Sequence, residues 1–202
     1  WGVEELPDQP GLKVTQMIPA AHDGKLKAFY VIGENPLVSD PDLNHCEKSI
    51  ENLDFLVVQD LFMTETARFA DVVLPSACYA EKEGTFTNSE RRVQRVRKAV
   101  EPPGQAWDDW KICCEIATRM GYPMAYESPD QVMAEIAELT PSYGGMRYDR
   151  LEGNGLQWPC PELDHPGTPY LHKDRFPRPG GKARFHAIEY RDPAEIPNHE
   201  YP

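Results

Sequence analysis

An α/β fold built on a parallel sheet is predicted by three features of this 202-residue chain. Apolar runs at residues 28–32 (AFYVI), 55–58 (FLVV) and 72–74 (VVL) are short and rich in β-branched or aromatic residues. They read as strands buried on both faces. Helical patterns separate them, as parallel crossovers require. Polar residues gather just beyond each run, where ligands collect in open parallel sheets.

Taken in order, residues 1–13 are polar and turn-rich, and residues 14–21 suit a short helix capped by Thr15, limited by Pro19 and closed by Gly24. The strand at 28–32 runs into the turn Gly33-Glu34-Asn35-Pro36. Residues 41–53 place Leu43, Cys46, Ile50 and Leu53 on one helical stripe, with Asp40 as its predicted N-cap. The strand at 55–58 ends in Gln59 and Asp60. A compact helical segment follows at 64–69, with Thr64 as cap and Glu65 favourable in its first turn. Pro75 stops the third run, because it cannot donate to a ladder.

After Gly84 the character changes. Residues 85–87 and 92–96 alternate like half-exposed strands. Residues 107–120 form the strongest helical pattern, with Trp110, Cys113, Ile116, Ala117 and Met120 on one face and Gly121 and Pro123 closing it. A further helix is expected at 130–139, capped by Ser128 with Pro129 at its first position. Beyond Thr140 the chain is rich in Pro, Gly, Tyr and His, which predicts loops and then a strand at 183–188. The α/β domain is therefore expected over residues 1–148, with an irregular Pro-rich extension over 149–202.

A net charge of −12 argues against a general nucleic-acid binder, since no broad basic field exists to release counterions. No apolar run approaches the roughly 20 residues of a membrane span, so a soluble, cytoplasmic protein without a membrane segment is expected. Five cysteines without C-x-x-C spacing give neither a disulfide framework nor a zinc or iron–sulfur site. The six histidines show no ligand spacing either, and no metal ligand is assigned. A start at Trp1 reads as a cut inside a longer polypeptide.

The crossover pattern brings Asn35, Gln59, Asp60 and Lys82 to one rim. A helix beginning after Asn35 would aim free backbone N–H groups there, which suits a diphosphate. Asp60 at a strand end suits ribose hydroxyls, and Lys82 suits phosphate. Asp109 opens the longest helix, where a carboxylate has two acceptor oxygens for the paired N–H donors of a guanine edge. Ordinary roles fit the same residues. Asp60 and Asp109 also read as helix caps, Asn35 as a turn former and Lys82 as part of a solvated charge cluster. The basic run Arg91, Arg92, Arg95, Arg97 and Lys98 reads as a charged strand face. Glycine-rich dinucleotide, Walker and nucleophile-elbow motifs are absent from the sequence.

Several motifs occur in one order: Gly33-Glu34-Asn35-Pro36, Val58-Gln59-Asp60, Thr64-x-Thr66-Ala67, residues 70–75 (ADVVLP) and Glu81-Lys82-Glu83-Gly84-x-Phe86-x-Asn88. Glu90-Arg91-Arg92, Pro103-Gly104 and Asp109-Trp110 follow. Together they resemble the third domain of molybdopterin oxidoreductases of the dimethyl sulfoxide reductase superfamily. Residues 116–124 (IATRMGYPM) and 157–161 (QWPCP) are similar to formate dehydrogenase catalytic subunits in particular. The resemblance implies a Rossmann-like layer that binds one of two molybdopterin guanine dinucleotides. By that likeness Asn35, Ser39, Gln59, Asp60, Lys82 and Asp109 are the expected cofactor-binding residues.

The same resemblance implies a molybdenum or tungsten centre whose ligand lies outside this chain, and a [4Fe–4S] cluster in the parent only. It places the catalytic residues elsewhere too, so no catalytic residue is assigned here. The expected partners are the remaining domains of the parent subunit, including a C-terminal domain after residue 202, and electron-transfer subunits or iron–sulfur proteins. Formate oxidation to carbon dioxide is the implied reaction of the parent. A nitrate reductase or another family member is the alternative suggested by Glu81-Lys82-Glu83-Gly84, and a non-catalytic nucleotide-binding module the remaining one.

Overall fold

A computed structural model of the chain describes residues 2–192 and His199. It divides into two compact units, the first ending at Gly167 and the second beginning at Thr168. The first unit opens with α1 (Val14–His22), β1 (Ala28–Ile32), α2 (Pro36–Ser39), α3 (Leu43–Glu51) and β2 (Phe55–Asp60). A 3-10 turn at Thr66–Phe69 leads to β3 (Val72–Pro75). These strands form a parallel sheet in the order β1-β2-β3, with Val31 beside Val58 and Val58 beside Val73. The chain is thus mixed α/β, as its sequence predicts.

Strand alternation sends Val31, Leu56, Val58 and Val73 to one face. There they meet Ile18 of α1 and Cys46 and Ile50 of α3 in a closed apolar core. Each large aliphatic side chain buried this way contributes about 1.5–3 kcal/mol. The other face is not closed. Tyr30, Ile32, Phe55 and Val72 lie on it and remain between 37% and 46% exposed, so these strands are not buried on both faces. The reason is architectural: α1 and α3 both pack on the first face.

Capping also departs from expectation. Lys13, not Thr15, occupies the N-cap of α1, and its N–H is taken by Gln16 Oε1 at 2.9 Å. Gly24 does follow the helix with φ +67°, donating back to Ala21 O at 3.0 Å. Asp42 caps α3 by accepting from His45 N–H at 3.1 Å. The predicted cap, Asp40, instead holds the N–H of Asp42 at 2.9 Å. Thr64 does hold its turn, accepting from Ala67 N–H at 3.2 Å.

A second sheet is antiparallel: β4 (Gly84–Thr87), β5 (Arg92–Val96) and β6 (Leu156–Gln157), in that order. Two helices lie between them in sequence, α4 (Asp109–Arg119) and α5 (Pro129–Leu139). The sheet and α5 share a core of Val93, Met133, Met146, Leu151 and Cys160. Residues of the basic run are engaged in this layer. The Arg95 guanidinium lies 3.7 Å from the Tyr148 ring centroid and pairs with Glu83 and Glu152, and Arg97 also pairs with Glu152. Arg150 ties the loops by donating to the carbonyls of Gly145 (2.7 Å), Glu162 (3.2 Å) and His165 (2.7 Å).

Helix α4 presents less buried surface than its stripe suggests, for only Ile112 is buried and Met120 is 82% exposed. In the second unit, residues 183–188 do not form the expected strand. A strand needs a partner edge, and none exists among the described residues of that unit. Phe185 and Ile188 accordingly lie open to solvent. Among the described residues no helix is long and apolar enough to cross a membrane.

Candidate functional site

The carboxyl ends of β1, β2 and β3 are drawn to one level by hydrogen bonds that continue the ladder past the strands. Gly33 N–H donates to Gln59 O at 2.9 Å, and Ser76 N–H to Asp60 O at 3.1 Å. Gly33 turns there with φ +63°, a conformation suited to a residue without Cβ. Beyond Pro75 the chain pairs with Trp107. Trp107 N–H donates to Pro75 O (3.1 Å), and Ala77 N–H to Trp107 O (2.8 Å). That docking carries the first turn of α4 to the strand tips.

Asp109 is consequently not a cap; Asp108 occupies the N-cap and Asp109 is the first helical residue. Its Oδ1 accepts from Gln59 Nε2 at 2.7 Å and its Oδ2 pairs with Lys82. Gln59 is fully buried, and its Oε1 accepts from the Tyr30 hydroxyl. The directions of these bonds follow from chemistry. An ionised carboxylate only accepts, so the amide N must face Asp109, the amide O must face Tyr30, and Tyr30 must donate. Burial pushes the Asp109 carboxyl up, but hydrogen bonds from Lys82 and Gln59 outweigh it and hold the group below the usual carboxylate range. Burial, with the charge of Asp109 adding to it, raises the Tyr30 phenol, which keeps its proton available for donation. The buried hydroxyl of Ser76, at the exit of β3, also helps to hold the Asp109 carboxyl down.

A second group lies beyond β1. Asn35 Oδ1 accepts from Thr66 N–H (3.2 Å) and Thr66 Oγ1 (2.7 Å), while its Nδ2 donates to Glu65 at 2.7 Å. This contact with Asn35 holds the Glu65 carboxyl below its ordinary value. Ser39 Oγ donates to Asn35 O at 3.3 Å. The free N–H groups expected after Asn35 are spent within the protein. Pro36 has none, Leu37 donates to Thr66 Oγ1 (3.2 Å), and Val38 and Ser39 donate to Asn35 O at 2.9 and 3.0 Å. A helix of one turn closes on its own start and leaves no donor facing outward.

Asp60 stands at the tip of β2, where Oδ1 accepts from Leu61 N–H (2.6 Å) and Phe62 N–H (3.3 Å). The structure therefore joins Gln59, Lys82 and Asp109 directly, joins Asn35 and Ser39 to each other, and holds Asp60 within the turn that leaves β2. Sequence reasoning missed Tyr30 and Thr66. Tyr30 pairs in register with Val57 and so shares a face with Gln59; that alternation is the one signal that points to it. Lys82 and Asp109 also line a cavity of about 230 Å³ with Trp110, Met133, Ile136 and Tyr148. A larger cleft, about 660 Å³, runs along β3 and α4 past Leu74, Trp107, Ile112 and Arg119, and contains none of the predicted site residues. Among the described residues no cluster of three or more His, Cys, Asp or Glu side chains could hold a metal ion.

The model of the molybdopterin oxidoreductase family matches residues 2–119. The chain is 50% identical to the F420-dependent formate dehydrogenase subunit alpha of Methanocaldococcus jannaschii, over 100% of its own length and 30% of that relative's. It is 42% identical to formate dehydrogenase H of Escherichia coli, over 100% of its length and 29% of the relative's. The chain thus spans less than a third of these curated relatives. Among solved structures, the acetylene hydratase of Pelobacter acetylenicus matches with a TM-score of 0.56 and 27% identity, covering 67% of this chain and 19% of that one. The chain belongs to the molybdopterin oxidoreductase family and is homologous to formate dehydrogenase catalytic subunits.

Proposed function

We propose that this chain is the part of a molybdenum- or tungsten-dependent formate dehydrogenase that seats one molybdopterin guanine dinucleotide. The observation that carries this reading is the Asp109 carboxylate, kept ionised at the tips of a parallel sheet by Gln59 and Lys82. The donor set fits such a ligand. Asp109 retains acceptor lone pairs for the N–H edge of a guanine, since a carboxylate has about four acceptor sites. Lys82 supplies the positive charge for a phosphate, and Asp60 an acceptor for ribose hydroxyls. Asn35 and Thr66 hold the wall of the seat, and Ser39 adds a hydroxyl beside it.

When bound, the cofactor supplies the dithiolene sulfurs of the metal centre and the path for electrons. The residues of this chain bind and orient its nucleotide end, so that the reacting end is fixed at a distance. Formate oxidation is the favoured reaction, because the relatives quoted above carry that name. Electrons would then leave through iron–sulfur centres and partner subunits of the parent enzyme. The fold likeness to an acetylene hydratase keeps another reaction of the family as the second reading. The test is to prepare the full-length subunit with Asp60→Ala or Asp109→Ala. Formate oxidation with a dye acceptor, and the guanine nucleotide released by acid, are both expected to fall at least tenfold. Unchanged guanine content in both variants would refute the assigned roles.

A further inference from the structure

The chain Tyr30–Gln59–Asp109–Lys82 runs from β1 through β2 to α4 and the loop before β4. It has a property that its separate bonds do not. An aspartate carboxylate turns easily about its last torsion, which is broad and two-fold. Here each oxygen is held by a different donor, Gln59 on Oδ1 and Lys82 on Oδ2, so the plane of the carboxylate is fixed. The two donors differ in how firmly they are themselves held. Lys82 is a flexible ammonium with a partly exposed side chain. Gln59 is fully buried, and its amide is held at the far end by Tyr30 alone among the described side chains.

We propose that Tyr30 is a positioning residue for base selection: by donating to Gln59 it keeps that amide turned to Asp109 and so sets the plane in which the carboxylate meets a base edge bearing two adjacent N–H donors. The proposal rests on the reading that Asp109 meets a guanine. In this role Tyr30 acts through Gln59 and needs no contact of its own with the base. Without its hydroxyl, the buried Gln59 oxygen loses its donor and the amide rotates to recover one. Asp109 then loses the donor that balances Lys82 and swings toward it. A carboxylate still accepts one N–H in that state, but it no longer accepts two in parallel.

Guanine and hypoxanthine separate these states, because hypoxanthine keeps the ring N–H of guanine and lacks its exocyclic amino group. The experiment is calorimetric titration of the cofactor-free, full-length subunit with GMP and with IMP. Wild type and two variants, Tyr30→Phe and Gln59→Met, are compared. The second variant removes the relay from its other member, so the result does not depend on one substitution folding well. Wild type is expected to prefer GMP by about tenfold, the size of one extra well-placed hydrogen bond to a charged group. In either variant the preference for GMP over IMP is expected to shrink to about twofold or less, whatever loss the two affinities share. A structural lesion would lower both affinities together and leave their ratio intact. A ratio preserved in both variants overturns the role of Tyr30. Wild type that binds the two nucleotides equally, or neither, overturns instead the reading of Asp109 as the guanine contact.

Discussion

Gln59 donates to Asp109 at 2.7 Å across fifty residues of sequence, and joins the middle strand of the parallel sheet to the first turn of α4. Because Gln59 is fully buried, replacing it by leucine takes the acceptor from the Tyr30 hydroxyl and one donor from Asp109. The expected cost is about 1–3 kcal/mol, read from the chemical denaturation midpoint of the subunit.

The same carboxylate gives a pH dependence. Asp109 ionises more readily folded than unfolded, so its contribution to stability is present above the ordinary carboxylate range and is lost as pH falls through its lowered value. Denaturation midpoints measured across the acid range should therefore drop more steeply for wild type than for Asp109→Asn, which carries no titrating group there.

Thr66 is fully buried and its hydroxyl serves two partners, donating to Asn35 Oδ1 at 2.7 Å and accepting from Leu37 N–H at 3.2 Å. Thr66→Val keeps the shape and removes both bonds. A loss of about 1–2 kcal/mol is expected, together with faster proteolysis of the turn at 33–39.

Gly155 takes φ +68°, and a Cβ placed there would sit 2.1 Å from Val93 O. Both the conformation and the space forbid a side chain. Gly155→Ala should cost about 3 kcal/mol by forcing β6 away from β5, and soluble yield at 37 °C should fall, while Gly104→Ala, at φ +56° but with nothing within 4 Å of the added Cβ, loses only the conformational part, about 1 kcal/mol.

Arg150 donates its guanidinium to three backbone carbonyls in the loops around Cys160. Lysine keeps the charge but not the fork, so Arg150→Lys is expected to lose about 2 kcal/mol or more. Limited proteolysis between residues 144 and 167 would report the loosening.

The strands were legible because their apolar runs are short and bounded by turn formers; 28–32 ends at Gly33 as its composition requires. The cap of α3 was not, because Asp40 and Asp42 are the same residue type two positions apart and only the chain's path decides between them. In the candidate site, a strand-end rule brings Gln59 and Asp60 to the sheet tips. It says nothing of Asp109, whose position depends on Trp107 pairing beyond Pro75, a contact with no periodic signature. The N–H groups after Asn35 failed for a local reason: a single turn satisfies itself. Residues 183–188 have strand composition but no edge to join among the described residues of their unit, which composition cannot express.

Gln59 and Asp60 are consecutive in β2 and so leave the strand on opposite sides of the sheet. A bound molecule that meets Asp60 as well as the Asp109 beside Gln59 must drape over the strand ends like a strap over the lip of a shelf. Reach, more than shape, then becomes the criterion for admission: a compact solute settles on one side of the lip, and only an elongated one spans it.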